Sequence, residues 1–222
     1  MGKKINQNLK RVGFNKKWIN VWFTNNNKLR VRFIAEDNII HKIIYDFFDL
    51  YSGVFEVNII RNNMDSIEID LWTSRYFVTV GENRENIRKL KIRLKKHLFN
   101  TKIIKIKVKN LYRSEKYYNF KTKTLEIIPA QTLSNRLAVS LIEAKPFRRV
   151  LRQGLYLAKK TKCLGCRITI SGKLNGNRIA RSESEQFGAM PLSSINKNID
   201  YAKTLVKSKF GIMCVKIHLY NE

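Results

Sequence analysis

The chain has 222 residues, with 44 Lys and Arg against 17 Asp and Glu and a formal net charge of +27, yet 44% of it is hydrophobic and 11% aromatic. That apolar content excludes a disordered basic tail, and no apolar run approaches the roughly 18 residues of a membrane-spanning helix. A folded surface with so large an excess of one sign repels itself unless a polyanion neutralises it. With neither C2H2 spacing nor a zipper behind a basic region, the expected partner is RNA, not duplex DNA or a membrane.

In chain order, residues 1–16 are polar and basic without periodicity and are expected to form a tail that orders on a partner. "WINVWF" at 18–23 alternates weakly. From Glu36, Ile39, Ile43, Phe47 and Leu50 recur at helical spacing behind acidic residues that suit a helix start. "VFEVNIIRN" and "SIEIDLWTS" around "NNMD" read as a β-hairpin, and "YFVTV" reads as a third strand. After Gly81 comes a basic helix with Ile87, Leu90, Leu94 and Leu98 on one stripe, and "KIIKIKVKN" closes the unit as a strand.

Residues 111–128 read as a linker. Pro129 opens a helix over "PAQTLSNRLAVSLIEAKP", and Pro146 separates it from the next, which carries Phe147, Val150, Leu151, Leu155 and Ala158 on one face. "GCRITISG" and "NRIARSES" follow as strands around "KLNG"; "IDYAKTLVKSKFG" fits helix or strand, and "IMCVKIHLY" is a final strand.

Arg148, Arg149 and Arg152 project from one side of their helix within a turn, with no Asp or Glu nearer in sequence than Glu143. Such a cluster suits a phosphate backbone, where each guanidinium can hold two oxygens; the plainer alternative is a solvated basic face. "VTVGENRENIRKL" places a Gly and three residues before a helix start, an arrangement able to hold a phosphate. It resembles the GxxG loop of KH domains, although Arg84 replaces the second glycine. Catalytic motifs are absent, and Glu183 and Glu185 read as a salt-linked surface. "CLGC" at 163–166 has zinc-ligand spacing, but His41, His97 and His218 show no paired spacing to complete four ligands, so small thiols in a reducing compartment are expected, with no metal and no cofactor. Abundant Ile, Lys, Asn, Phe and Tyr beside few Ala, Gly and Pro bear the imprint of an AT-rich genome.

From Ala144 to Tyr220 the chain resembles the C-terminal domain of the S-three family of small-subunit ribosomal proteins. The residues that carry this are Phe147-Arg148-Arg149, Gly165, Ser171-Gly172-Lys173-Leu174, Gly176, Ile179-Ala180-Arg181, Pro191-Leu192, Ile199-Asp200-Tyr201, Gly211 and Val215-Lys216. "MGKKIN", "WINVWF" and the loop at Gly81 fall where that family has its start and its KH loop. The resemblance implies an α+β protein, a type II KH domain followed by a second small α/β domain, at the mRNA entry of the small subunit. It implies mRNA binding by Arg148, Arg149 and Arg152, the last in place of a lysine. The stretch "SEQFGAMP" lacks aromatic and basic residues common there in the family.

The resulting expectation is a basic tail over 1–16, a KH-like RNA-binding domain over 17–110, a linker over 111–128 and a C-terminal ribosomal domain over 129–222. Contacts to small-subunit rRNA or a nucleotide are assigned to Gly81, Arg84, Arg88, Lys89, Lys91, Arg93, Lys95 and Lys96, and N-terminal rRNA contacts to Lys3, Lys4, Lys10 and Arg11. The protein is read as a non-enzymatic constituent of the small ribosomal subunit with rRNA, mRNA and neighbouring ribosomal proteins as partners. The alternative is a free KH-type RNA-binding regulator. With no readable presequence, the expected location is a plastid or mitochondrial ribosome, and otherwise the cytoplasm of an AT-rich bacterium.

Overall fold

The computed structural model describes residues 5–63, 66–98, 103–114, 117–119, 124–125 and 127–221. They are mixed helix and strand, the expected α+β class, in two compact units: Trp18–Arg113, and Met1–Lys17 together with Ser114–Glu222. A short helix, α1 (Gln7–Lys10), belongs to the second.

The first unit opens with α2 (Asn27–Phe47), nine residues earlier than the acidic start at Glu36 suggested. Asn26 caps it, its side-chain oxygen accepting from the Lys28 amide at 3.0 Å. Its buried face carries Phe33, Asp37, Ile40, Ile43 and Ile44, leaving Ile39 exposed. β1 (Val54–Asn63) and β2 (Ser66–Thr73) form the expected antiparallel hairpin. "YFVTV" is not a strand but a short helix, α3 (Tyr76–Val80). Its Thr79 hydroxyl lies 2.8 Å from that of Thr73 and 3.1 Å from the Ser52 carbonyl oxygen, so buried hydroxyl bonds hold this β-branched run in a helical turn.

The basic helix α4 (Glu85–His97) follows, and β3 (Ile103–Asn110) pairs parallel with β2, giving a three-stranded sheet in the order β1-β2-β3. Parallel neighbours need a crossover connection, and α3 with α4 supplies it. Ile40 and Ile44 of α2, Leu90 and Leu94 of α4, and Ile59, Ile67, Ile69 and Leu71 of the sheet form one core.

Asp37 is 4% exposed and joins that core to the segment before α2. One oxygen lies 2.7 Å from the Arg61 guanidinium; the other accepts from Asn20 Nδ2 at 2.9 Å and Trp22 Nε1 at 2.8 Å. Val21, between them, donates its amide to Ile59 at the edge of β1.

The region read as a linker contains a 3-10 turn at Leu111–Arg113 and an antiparallel pair, β4 (Tyr118–Asn119) with β5 (Thr124–Leu125). α5 (Ala130–Ile142) and α6 (Phe147–Lys159) follow behind Pro129 and Pro146, then β6 (Cys163–Gly172), β7 (Arg181–Gly188), β8 (Ile199–Ser208) and β9 (Gly211–Asn221). The ambiguous "IDYAKTLVKS" is therefore a strand, and the strand within "NRIARSES" begins only at Arg181. All pairings are antiparallel in the order β7-β6-β9-β8, with α5 and α6 packed on one face.

The expected basic tail is instead an arm along the β8 side of the second unit. Asn8 exchanges two hydrogen bonds with the Tyr201 backbone on this edge strand, at 2.8 and 2.9 Å. The carboxylate of Asp200 takes Lys16 Nζ at 2.6 Å on one oxygen and the Ala130 amide at 2.7 Å on the other, anchoring the arm and capping α5 together.

Candidate nucleic-acid interface

α6 is strongly two-sided. Phe147, Val150, Leu151, Gly154 and Ala158 are buried against the sheet and α5. Gly154 marks the closest approach: a Cβ there would meet Ile168 Cδ1 at 2.6 Å and Leu137 Cδ1 at 2.8 Å. Arg148, Arg149 and Arg152 are all exposed, as their spacing predicts. The same face continues through Tyr156, Lys159 and Lys160. At 100° per residue these six occupy an arc of about 120°, so five cations share one helix face. Lys160 Nζ lies 4.6 Å from the centre of the exposed Tyr156 ring. Sequence reasoning stopped at Arg152, although Lys159 lies eleven residues beyond Arg148, a spacing that returns to the same face.

Among the described residues, one ion pair reaches this face. Glu183 of β7 pairs with Ile170 of β6 and shares the helix-covered side of the sheet, where its Oε2 stands 4.0 Å from Arg148 Nε. Both side chains are well exposed, 73% and 40%, so the attraction is weak and easily displaced. The expectation of salt-linked glutamates on this strand thus finds a partner for Glu183 that sequence distance concealed.

The Gly81–Arg84 loop keeps a shape suited to glycine although one glycine is missing. Gly81 has φ 72°, and a Cβ on it would meet Asn86 Nδ2 at 2.8 Å. Asn83 and Arg84 lie at φ 50° and 62°, the left-handed region, so Arg84 holds a strained conformation that glycine would take freely. The loop leads into α4 without a side-chain cap. Glu82 and Glu85 stand at this helix start, and Lys89, 2.5 Å from Glu85, holds that carboxyl below its ordinary pKa by its hydrogen bond. An anion here meets two carboxylates at the helix start, whereas the first turn of α6 carries none.

Along α4, Arg88, Lys89, Lys91, Arg93, Lys95 and Lys96 are exposed, as is Arg84 before it, while Leu90 and Leu94 are buried. The cations fan over about 200° around the exposed Ile92.

The N-terminal assignments fare differently. Lys3 and Lys4 lie outside the described residues. Lys10 reaches the Ser193 carbonyl oxygen at 3.0 Å on an exposed surface. Arg11 corrects the expectation of an rRNA contact. It is 0% exposed, and its guanidinium donates to the carbonyl oxygens of Lys197 and Ser194 and to Gln7 Oε1, each at 2.7 Å, and to Leu192 and Gln7 carbonyls at 3.4 and 3.1 Å. These internal acceptors consume all the donor groups a phosphate would need.

No group of three or more His, Cys, Asp and Glu suited to a metal occurs among the described residues. Cys166 is buried in β6 and its thiol is pushed up to about 12 by burial, while Cys163 donates to the Ala158 carbonyl oxygen. No helix among the described residues is long and apolar enough to cross a membrane.

The model of the family "Ribosomal protein S3, C-terminal domain" matches residues 137–219, from within α5 through nearly all of β9. Small ribosomal subunit protein uS3 of Metamycoplasma arthritidis is 31% identical over 98% of this chain and 83% of its own length. The uS3c protein of Mesostigma viride is 29% identical, with 100% and 97% covered, and uS3 of Mycoplasma pneumoniae 26%, with 98% and 74% covered. With the α6 face inside the matched domain and full-length similarity around it, this chain belongs to the uS3 family of small ribosomal subunit proteins.

Proposed function

We propose that this chain is a structural constituent of the small ribosomal subunit, not an enzyme, held there by rRNA and neighbouring ribosomal proteins, with α6 facing the mRNA entry path. The observation that carries the reading is the α6 face: Arg148, Arg149, Arg152, Lys159 and Lys160 exposed together on a helix whose other side is locked into the core. Guanidinium and ammonium groups spread along one helix face grip phosphates without reading bases. Incoming mRNA of any sequence is held, and translocation supplies the work of opening its hairpins.

The first unit is read as a type II KH domain. Its order of helix, hairpin, two helices around the Gly81 loop, and a strand parallel to β2 supports this. The loop and α4 are assigned to rRNA or a neighbouring protein, because Glu82 and Glu85 weaken the loop as a nucleotide clamp. An organellar ribosome is the proposed location, in keeping with AT-rich residue usage and with the uS3c proteins of Mesostigma viride and Ostreococcus tauri among the relatives.

Two measurements test the reading. In sucrose gradients of native extract the chain co-sediments with the small subunit through a high-salt wash; recovery only at the top of the gradient overturns it. Replacing Arg148, Arg149 and Arg152 by Ala slows translation through structured mRNA while leaving subunit occupancy unchanged. Loss of the variant from the subunit shows instead that the helix is an assembly anchor.

A further inference from the structure

The four-stranded sheet sorts its charges by face. The acidic residues of its strands, Glu183, Glu185 and Asp200, all fall on the side that α5 and α6 cover, as the register shows: Glu183 and Glu185 pair with Ile170 and Ile168, and Asp200 with Leu219. Among the described residues of these strands, the other side carries no carboxylate. It presents Arg167, Lys203, Lys207 and Lys216, with the rings of Tyr201 and His218 stacked at a tilt with centroids 4.9 Å apart.

Two details show that this side is not arranged for its own stability. Lys203 and Lys216 are direct cross-strand partners, and like charges placed so are destabilising. Lys203, Leu205 and Lys207 are exposed along β8, and Ser182, Ser184 and Gln186 along β7, so both outer strands are open on this side.

We propose that this open sheet face is a second RNA-binding surface, on the opposite side of the sheet from α6. Lysine and arginine heads on neighbouring strands take successive phosphates, and the Tyr201–His218 pair offers π-faces against which an unpaired base stacks. An acidic protein segment would also be attracted. RNA is favoured because the aromatic pair lies among the cations, and the exposed apolar side chains of this face do not form a patch of their own: Leu205 stands between Lys203 and Lys207, and Ile212 pairs with Lys207. On this arrangement one face anchors the unit on structured RNA while the other presents α6 to a moving strand. Only the identity of the anchoring RNA, rRNA, rests on the ribosomal reading.

The test uses the full chain and a 20-nucleotide oligouridine carrying 4-thiouridine. Photocrosslinks are expected on β8 and β9 peptides containing Tyr201 and His218, in addition to α4 and α6. The double variant Lys203→Ala, Lys216→Ala is expected to bind about ten- to thirtyfold more weakly at 0.1 M salt, with the log–log salt slope reduced by about 1.4, as for two single-strand phosphate contacts. Its melting temperature should be unchanged or slightly raised, since a like-charge pair is removed. Crosslinks confined to α4 and α6, or an unchanged slope in the double variant, overturn the proposal while leaving RNA binding intact. Absence of RNA binding by the wild-type chain overturns the RNA-binding reading itself. A crosslink from this face to a protein in purified small subunits, with none to RNA, identifies a protein interface and overturns the proposal as well.

Discussion

Arg11→Ala isolates a contact that composition alone would have assigned to RNA. The side chain is fully buried and makes three bonds of 2.7 Å, to the carbonyl oxygens of Lys197 and Ser194 and to Gln7 Oε1. Removing it takes the donor from the two closely bonded carbonyls of Lys197 and Ser194, each costing about 1–3 kcal/mol if it stays dry, besides the longer bond to Leu192. It also leaves a hole the size of a guanidinium. Water can enter from the exposed arm and recover part of the loss, and the arginine no longer bears its own desolvation, so the net is about 2–4 kcal/mol. The damage is local, because the bonds join the arm to residues 192–197 while the Trp18–Arg113 unit keeps its own core.

Native-state hydrogen exchange reads this directly. Amides of 5–17 and 192–201 should exchange about 30- to 1000-fold faster, while those of β1, β2 and α4 are unaffected. Arg11→Lys should recover little, since one ammonium cannot span the same acceptors. A change below about 1 kcal/mol in the arm, together with a clear loss of RNA affinity, would refute the structural role and restore Arg11 as an RNA contact.

Other consequences are open to simpler measurement. Arg84→Gly relieves a left-handed backbone that costs a side chain about 1–2 kcal/mol, offset by up to about 1 kcal/mol of added chain entropy, so the first unit should gain up to about 1 kcal/mol in urea unfolding. Burial lowers the pKa of His41 below 6.5 despite the opposing pull of Asp37. The unfolded state then binds the extra proton more readily, so this contribution is fully present above pH 6.5 and lost as pH falls through the folded value; His41→Asn should flatten the dependence between pH 5 and 7. The Cys166 thiol, pushed up to about 12 inside β6, should resist iodoacetamide at pH 8 until the protein is unfolded.

Much of the architecture was legible because the deciding signals are local. The β1–β2 hairpin follows from the alternation of Ile67, Ile69 and Leu71, α4 from its stripe of Leu90 and Leu94, and α5 and α6 from prolines that open helices. Periodicity there coincides with burial, so one chain segment carries its own evidence. The projection of Arg148, Arg149 and Arg152 from one side of α6 is of the same kind, since helical geometry alone sets it.

The rest was settled by partners outside the segment concerned, several of them far away in sequence. "YFVTV" has the composition of a strand, but the hydrogen bonds of the Thr79 hydroxyl with the Ser52 carbonyl oxygen and the Thr73 hydroxyl hold it as α3. The first nine residues of α2 lacked an acidic start, and their place is secured by the Asn26 cap and by Phe33 in the core. "IDYAKTLVKS" became a strand because β9 offers a complete antiparallel partner, and its Asp200 then caps α5. Arg11 is a surface charge by every local rule until the carbonyls of residues 192–197 surround it, and Glu183 reaches Arg148 only because β7 lies beside α6. Sequence by itself determined helix faces, alternation and the sheer excess of positive charge. Tertiary structure alone decided which of those charges face solvent, because burial and pairing depend on groups as far apart along the chain as Arg148 and Glu183 or Arg11 and Lys197, beyond the reach of any local period.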